Sequence, residues 1–339
     1  MDNPTIVFDR PRSAVIEPRE RPRPAAGEVL IETALTLIST GTELTIYSGD
    51  FPERSVWAQY GRFPFVAGYS NVGRVAEAGA GVDPAWLGRR VASRGPHAAW
   101  VTARPAALAP IPDEVPDQEA ALFALAAIVM NSIRRAHVTW GETIVVNGCG
   151  LLGQLAVRLA VIAGASRVVA ADVSEYRLAL LPKSPAVLAL NPRRDDVRAR
   201  VREANRGRLA DVVFEVTGDP ALIEGELASL RRQGRFIVLS SPRGASSFDF
   251  HDLCNAPSFT IIGTHETSHP AAATPDNPWT HVRHNELFFD YLAGKRIEVG
   301  SLLSHRFAYA KAPEVYAQLI ADRSAYMGVI LDWRERASQ

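Results

Sequence analysis

A run of β-branched residues, Thr143-Ile144-Val145-Val146-Asn147, leads directly into Gly148-Cys149-Gly150-Leu151-Leu152-Gly153. A segment with apolar residues at helical spacing follows (Leu155, Leu159, Ile162). A buried strand that turns sharply into a helix belongs to a parallel α/β sheet with helices on its faces. Each glycine has a separate use in such a turn. Gly148 permits the tight bend, Gly150 lets the backbone come close to an anionic group, and Gly153 lets helix and strand pack closely. The helix start, with Leu151 and Leu152 in its first turn, offers unpaired N–H groups and the positive end of its dipole, which suits a pyrophosphate.

The next strand, Arg167-Val168-Val169-Ala170-Ala171-Asp172, ends in a carboxylate nineteen residues after Gly153. A carboxylate there accepts the ribose hydroxyls of NAD and repels the 2′-phosphate of NADP. Arg177 is the counter-signal, because an arginine nearby can admit NADP. The carboxylate makes NAD the expected cofactor. Thr217 and Ser240, at the ends of later strands, complete the expected cofactor contacts.

Strands and helices alternate from Asp117 onward: a helix from Ser174 to Leu181, a strand Ala210–Val216, a helix Pro220–Arg232, and strands Gly234–Leu239 and Phe259–Gly263. This pattern predicts a doubly wound parallel sheet over residues 119–300. Residues 1–118 instead carry short strands (Gly27–Thr33, Asn71–Gly79, Gly88–Ala92, Ala98–Thr102) punctuated by prolines, which predicts a β-rich, barrel-like domain. Residues 301–339 hold a strand, a helix (Ala312–Ala321) and a terminal strand (Met327–Trp333). That piece is too short to fold alone and is expected to pack back on the first domain.

Composition removes several function classes. Lys+Arg and Asp+Glu are both 37, so no net field attracts nucleic acid or an anionic membrane. Two cysteines, Cys149 and Cys254, exclude a disulfide framework and a four-cysteine zinc lobe. The longest apolar run, Ala120 to Met130, is about half of what spans a bilayer. Met1-Asp2-Asn3-Pro4 has no signal-peptide character, so a cytoplasmic location is expected.

In order along the chain stand Gly27-Glu28-Val29-Leu30-Ile31, Ser39-Thr40-Gly41-Thr42-Glu43, Pro64 through Val75, Gly88-Arg89-Arg90-Val91 and the glycine turn. On these landmarks the chain resembles the medium-chain dehydrogenase/reductase superfamily over nearly its whole length. The resemblance implies a GroES-like catalytic domain, a Rossmann domain, a cleft between them for nicotinamide and substrate, and a homodimer through the last Rossmann strand. It also implies a zinc site in many members, and here the sequence departs. Thr40 stands where zinc-dependent members have cysteine, Tyr69 where they have histidine, and Ser70 where they have glutamate. Nothing near Phe123 supplies the third ligand. Zinc takes thiolate, imidazole or carboxylate donors, so no metal is expected. Ile38 through Glu43 and Gly68 through Val75 look like a zinc-free branch that includes bacteriochlorophyllide a dehydrogenase. The stretch from Arg243 to Thr280 looks more like sugar- or cyclitol-type dehydrogenases.

Alcohol oxidation without a metal needs a side chain to take the hydroxyl proton. Thr42 matches the hydroxyl that relays protons in zinc-dependent members, and Tyr69 stands at the former ligand position. Glu43 and His97 are the nearby ionisable groups. Each has a structural alternative: Thr42 as a helix cap, Glu43 as a backbone or arginine partner, Tyr69 as a space filler, His97 as a satisfied turn residue. His265, His269, His281 and His284, with Glu266 and Asp276, form a second cluster. Prolines 270, 275 and 278 argue against one long helix there. The segment reads as a loop contributing His265 and Trp279 to a substrate, beside Tyr69 and His97. The expected activity is NAD-dependent interconversion of a secondary alcohol and a ketone on a polar, polyol- or cyclitol-like molecule. The alternatives are an NADPH-dependent enoyl or quinone reductase and a non-catalytic nucleotide-binding protein.

Overall fold

Thr143–Asn147 is apolar on both faces, and Ile144, Val145 and Val146 are fully buried. Strands of that kind survive only inside a sheet covered on both sides. The computed structural model, which describes residues 3–334, places this strand at the centre of six parallel strands. Their order across the sheet is Val187–Leu190, Arg167–Ala171, Thr143–Asn147, Ala210–Glu215, Leu230–Val238 and Thr260–Gly263. In chain order this is 3-2-1-4-5-6, the doubly wound arrangement whose order reverses beside the first strand. Register brings Asn147 level with Ala171 on one side and Glu215 on the other, and Glu215 level with Val238. The residues that follow these ends therefore emerge along one edge of the sheet. Val145, Val169, Val213, Leu227 and Phe236 form the core on one face.

This unit comprises Leu125–Thr280. The other runs to Ala124 and resumes at His281. The structure thus moves the expected divisions from 118 to 124 and from 300 to 280. The larger shift arises because His281–Ala293 is a helix that buries Phe288, Phe289 and Leu292 and packs on the Ala109–Pro110 strand of the β-rich unit. Within the Leu125–Thr280 unit, the strand Val187–Leu190 and the helix Val197–Ala204 are absent from the sequence reading. The expected helix Pro220–Arg232 contracts to Ile223–Leu227, because the next strand already begins at Leu230.

In the β-rich unit the Val29–Ile38 strand is central. It pairs antiparallel with Asn71–Ala78, with Trp100–Ala103 and with Gly328–Asp332. The C-terminal segment thus enters this sheet, with Ile330 opposite Leu37. A smaller sheet joins Asn3–Arg10 to Ser13–Arg19 and to Phe65–Val66. Phe8, Tyr47, Tyr316, Leu319 and Leu331 pack between these elements.

Glu226, on the short helix Ile223–Leu227, is buried, and neither carboxylate oxygen has a hydrogen-bond partner. Burial, reinforced by the negative charges of Glu215 and Asp219, pushes its pKa from 4.5 up to about 9. The folded protein therefore holds a proton that the unfolded chain releases above pH 4.5. The stability that Glu226 contributes is therefore full below that pH and is lost progressively as pH rises toward about 9. Glu226→Gln is expected to remove most of this slope. Thermal unfolding at pH 5.5 and pH 8 should show the wild type losing on the order of 1–3 kcal/mol between them, with a flatter profile for the variant.

Candidate functional site

Gly148 adopts φ +93°, and a Cβ there would lie 2.8 Å from the Val216 carbonyl oxygen. A Cβ on Gly153 would lie 1.9 Å from the Gly148 carbonyl oxygen. Both positions therefore require glycine on steric grounds. At Gly150 a Cβ would meet nothing within 4 Å, so the backbone is open to approach. Gly150 precedes the Leu151–Ile162 helix, and no side chain caps that helix. The first-turn N–H groups of Leu151 and Leu152 are thus left for an external acceptor, the arrangement that suits a pyrophosphate.

Asp172 follows the adjacent strand and is 7% exposed. Its Oδ2 accepts from the Cys149 N–H at 2.7 Å and its Oδ1 from the Ser174 N–H at 2.8 Å. Arg177 Nη1 stands 3.5 Å from Oδ2. The glycine turn and the carboxylate are therefore joined before any ligand arrives. Burial, with the Asp172 charge beside it, pushes the Cys149 thiol pKa far upward, so the cysteine in the turn is unreactive. Sequence reasoning overlooked Glu215. Its fully buried carboxylate accepts from the Thr217 N–H and hydroxyl, both at 2.7 Å, from the Gly218 N–H at 2.8 Å, and from the Ser240 hydroxyl. The two expected cofactor contacts Thr217 and Ser240 are thus fixed by one acid. An acidic residue ending the apolar run Val212–Phe214 was the available signal.

The second constellation lies in the β-rich unit. Thr42 begins the Thr42–Ser48 helix behind Gly41, and no side chain caps the helix, so the capping alternative for Thr42 does not hold. Glu43, 1% exposed, accepts from the Ser39 N–H at 2.8 Å and from the Tyr316 hydroxyl. His97 Nε2 is 3.0 Å from Glu43 Oε2. His97 is wholly buried; its N–H donates to Ala67 and its ring lies against Gly68, where a Cβ would sit 2.6 Å from Cγ. Glu43, expected as a catalytic group, and His97, expected as a catalytic and substrate-binding group, are thus bonded to each other inside this unit. Both are sealed from solvent in this structure.

Tyr69 is half-buried, and its hydroxyl donates to Ser39 Oγ at 2.6 Å. Burial raises its pKa; hydrogen bonds with Ser39 and Thr42 oppose that rise, the Glu43 charge adds to it, and the Arg94 charge opposes it. Arg94, also missed in the sequence, has its pKa lowered by burial and places Nη2 3.0 Å from His281 Nδ1. Tyr69, Ser39, Thr42 and Arg94 thus interact as a group of polar side chains, with His281 beside Arg94.

The histidine-rich segment does not behave as one loop. His281 and His284 lie on a helix, with His284 fully buried. His265 is exposed with Nδ1 2.9 Å from Thr267 Oγ1, and His269 Nδ1 lies 2.9 Å from the Glu266 carbonyl. Among the described residues no three His, Cys, Asp or Glu side chains gather as a metal would require. The Trp279 ring is covered by Arg134, whose guanidinium carbon is 3.1 Å from the ring centroid.

Residues 152–277 match the zinc-binding dehydrogenase family. The L-threonine 3-dehydrogenase of Chromobacterium violaceum is 26% identical over 230 residues, 66% of this chain and 61% of that protein. The match therefore spans less than two thirds of that relative's length. The D-guloside 3-dehydrogenase of Escherichia coli K12 is 26% identical over 349 residues, covering 96% of this chain and 99% of that one. An alcohol dehydrogenase of Escherichia coli CFT073, solved with NADH, shares the fold at TM-score 0.82 and 20% identity over 98% of this chain and 99% of its own. A zinc-binding dehydrogenase of Sinorhizobium meliloti, solved with NADP, does so at TM-score 0.81 and 19% identity, with the same coverage.

Three substitutions test these assignments by thermal unfolding. Gly153→Ala forces the helix off the strand and should cost ~1–3 kcal/mol. Glu43→Ala leaves Tyr316 and His97 without their buried partner and should cost ~3 kcal/mol, whereas Tyr69→Phe should cost only about 1 kcal/mol.

Proposed function

We propose, from the premise that this chain belongs to the medium-chain dehydrogenase/reductase superfamily, that it interconverts a secondary alcohol and a ketone with NAD(H) and without a catalytic metal. The observation that carries this reading is Tyr69, a phenol held by Ser39 and Thr42 where zinc-dependent members have an imidazole ligand. The residues at the ligand positions do not fit zinc. Thr40 offers a hydroxyl, Tyr69 a phenol already bonded to Ser39, and Ser70 a buried hydroxyl donating to the Ala121 carbonyl at 2.5 Å. None is the thiolate, imidazole or carboxylate that zinc takes. The family match over 152–277 lies outside these positions.

The glycine turn and Asp172 fit a dinucleotide. When bound, NAD supplies the hydride acceptor. The chain supplies the proton chemistry. Tyr69 hydrogen-bonds the reacting oxygen, giving a proton to the carbonyl in reduction and taking one from the hydroxyl in oxidation. Its raised pKa keeps the phenol protonated at neutral pH, which favours the acid role. Ser39 and Thr42 orient the phenol, and the Arg94 charge tempers the rise. Glu43, His97 and Tyr316 hold Ser39 and the Gly68–Tyr69 backbone in place.

A polar, polyol-like substrate is supported by the guloside dehydrogenase that matches almost the full chain. The same reading includes a homodimer through Thr260–Gly263. That strand is the last in its sheet and is largely exposed, with Ile261 39% exposed, so its free edge can pair with a second copy. It also includes a cytoplasmic location; no described helix is long and apolar enough to cross a membrane.

Three measurements test the proposal. Fluorescence titration should show NADH bound at least about tenfold more tightly than NADPH, and the reverse order removes the NAD assignment. Turnover should survive exhaustive chelation, whereas a requirement for stoichiometric zinc defeats the metal-free reading. On a panel of secondary alcohols and polyols, oxidation should climb into the alkaline range as the phenol ionises. Tyr69→Phe should then lower kcat ~100-fold with little change in NADH affinity.

A further inference from the structure

The helix leaving the glycine turn carries two polar side chains on its buried face. Gln154 is fully buried and Arg158 is 6% exposed. Gln154 Nε2 donates to the Arg177 carbonyl at 2.7 Å and to the Cys149 carbonyl at 3.3 Å. Its Oε1 accepts from Arg158 Nη1 at 2.8 Å, and Arg158 Nη2 donates to the Leu180 carbonyl at 3.0 Å. Buried polar groups are costly unless bonded. Here the bonds run to two carbonyls of the segment that follows Asp172. The helix in that segment, Glu175–Ala179, has only five residues, too few to hold its own conformation.

These contacts close a ring. The Cys149 N–H bonds Asp172, Asp172 bonds the Ser174 N–H, the short helix leads on to the Arg177 carbonyl, and Gln154 returns from there to the Cys149 carbonyl. We infer that Gln154 and Arg158 are positioning residues that determine cofactor choice, fixing the segment after Asp172 so that Asp172, rather than Arg177, meets the adenosine ribose. The inference rests on the NAD reading above. Arg177 Nη1 stands 3.5 Å from Asp172 in the present arrangement. With its backbone released, the guanidinium is free to leave the carboxylate and pair with a 2′-phosphate, as arginines do bidentately.

The test is fluorescence titration of the full chain with NADH and NADPH. The NADH preference should fall about tenfold in Gln154→Met and in Arg158→Met. Gln154→Glu keeps the volume and the pairing with Arg158 but, as a carboxylate, cannot donate to the Arg177 and Cys149 carbonyls, and it should lose the preference as well. In an Arg177→Ala background, Gln154→Met should leave the ratio where Arg177→Ala alone sets it; general loosening of the fold would weaken both cofactors in either background instead. If the wild type prefers NADH and the Gln154 variants keep its ratio, the inference is overturned and the cofactor assignment stands. If the wild type prefers NADPH, both fall.

Discussion

The distance that a methyl group would occupy between Gly153 and the Gly148 carbonyl governs the dinucleotide unit. Any Cβ there would come within 1.9 Å of an oxygen, so the helix can approach the central strand only because none is present. That approach brings Gln154 beneath the turn and aims the helix start beyond the strand ends. It also lets the Cys149 N–H reach Asp172 on the neighbouring strand. The sheet order, with its reversal beside Thr143–Asn147, then gathers Asp172, Thr217 and Ser240 along the same edge. A steric fact at one atom thus becomes a recognition surface several residues wide.

In the β-rich unit the corresponding organiser is Glu43. A buried carboxylate survives when its lone pairs are taken, and here Ser39, His97 and Tyr316 take them. Those partners arrive from a strand end, a turn and the Ala312–Ala321 helix, so the acid ties distant parts of the chain together behind Tyr69. Ionisable residues around this acid divide into two kinds. Glu43 and His97 are sealed, whereas Tyr69 keeps a partly open face and a hydroxyl oriented by Ser39 and Thr42.

The glycine turn was legible because each glycine answers to local geometry and the signal lies within a dozen residues. Asp172 was legible because it directly follows the very next strand. Tyr316 was not, because its bond to Glu43 crosses 273 positions and nothing in either neighbourhood marks it. Asn3–Arg10 and Ser13–Arg19 escaped notice because Pro4 and Pro18 and several charges weaken the alternation that betrays a strand. The Val197–Ala204 helix buries only Val201, too little for an apolar stripe to show. The histidine-rich segment misled because the prolines before residue 280 suppressed the expectation of a helix, yet one begins directly after them. Arg94 could not be assigned from sequence, since its partner His281 is 187 residues away.

Gly328–Asp332 lies against Val29–Ile38 at the heart of the β-rich sheet. During synthesis on the ribosome, that sheet must wait for nearly the whole chain to emerge. Leu125–Thr280, whose strand pairings are all internal, is complete long before. That unit can therefore fold first. The entropic cost of joining strands some three hundred positions apart is reduced by an intervening segment that has already collapsed.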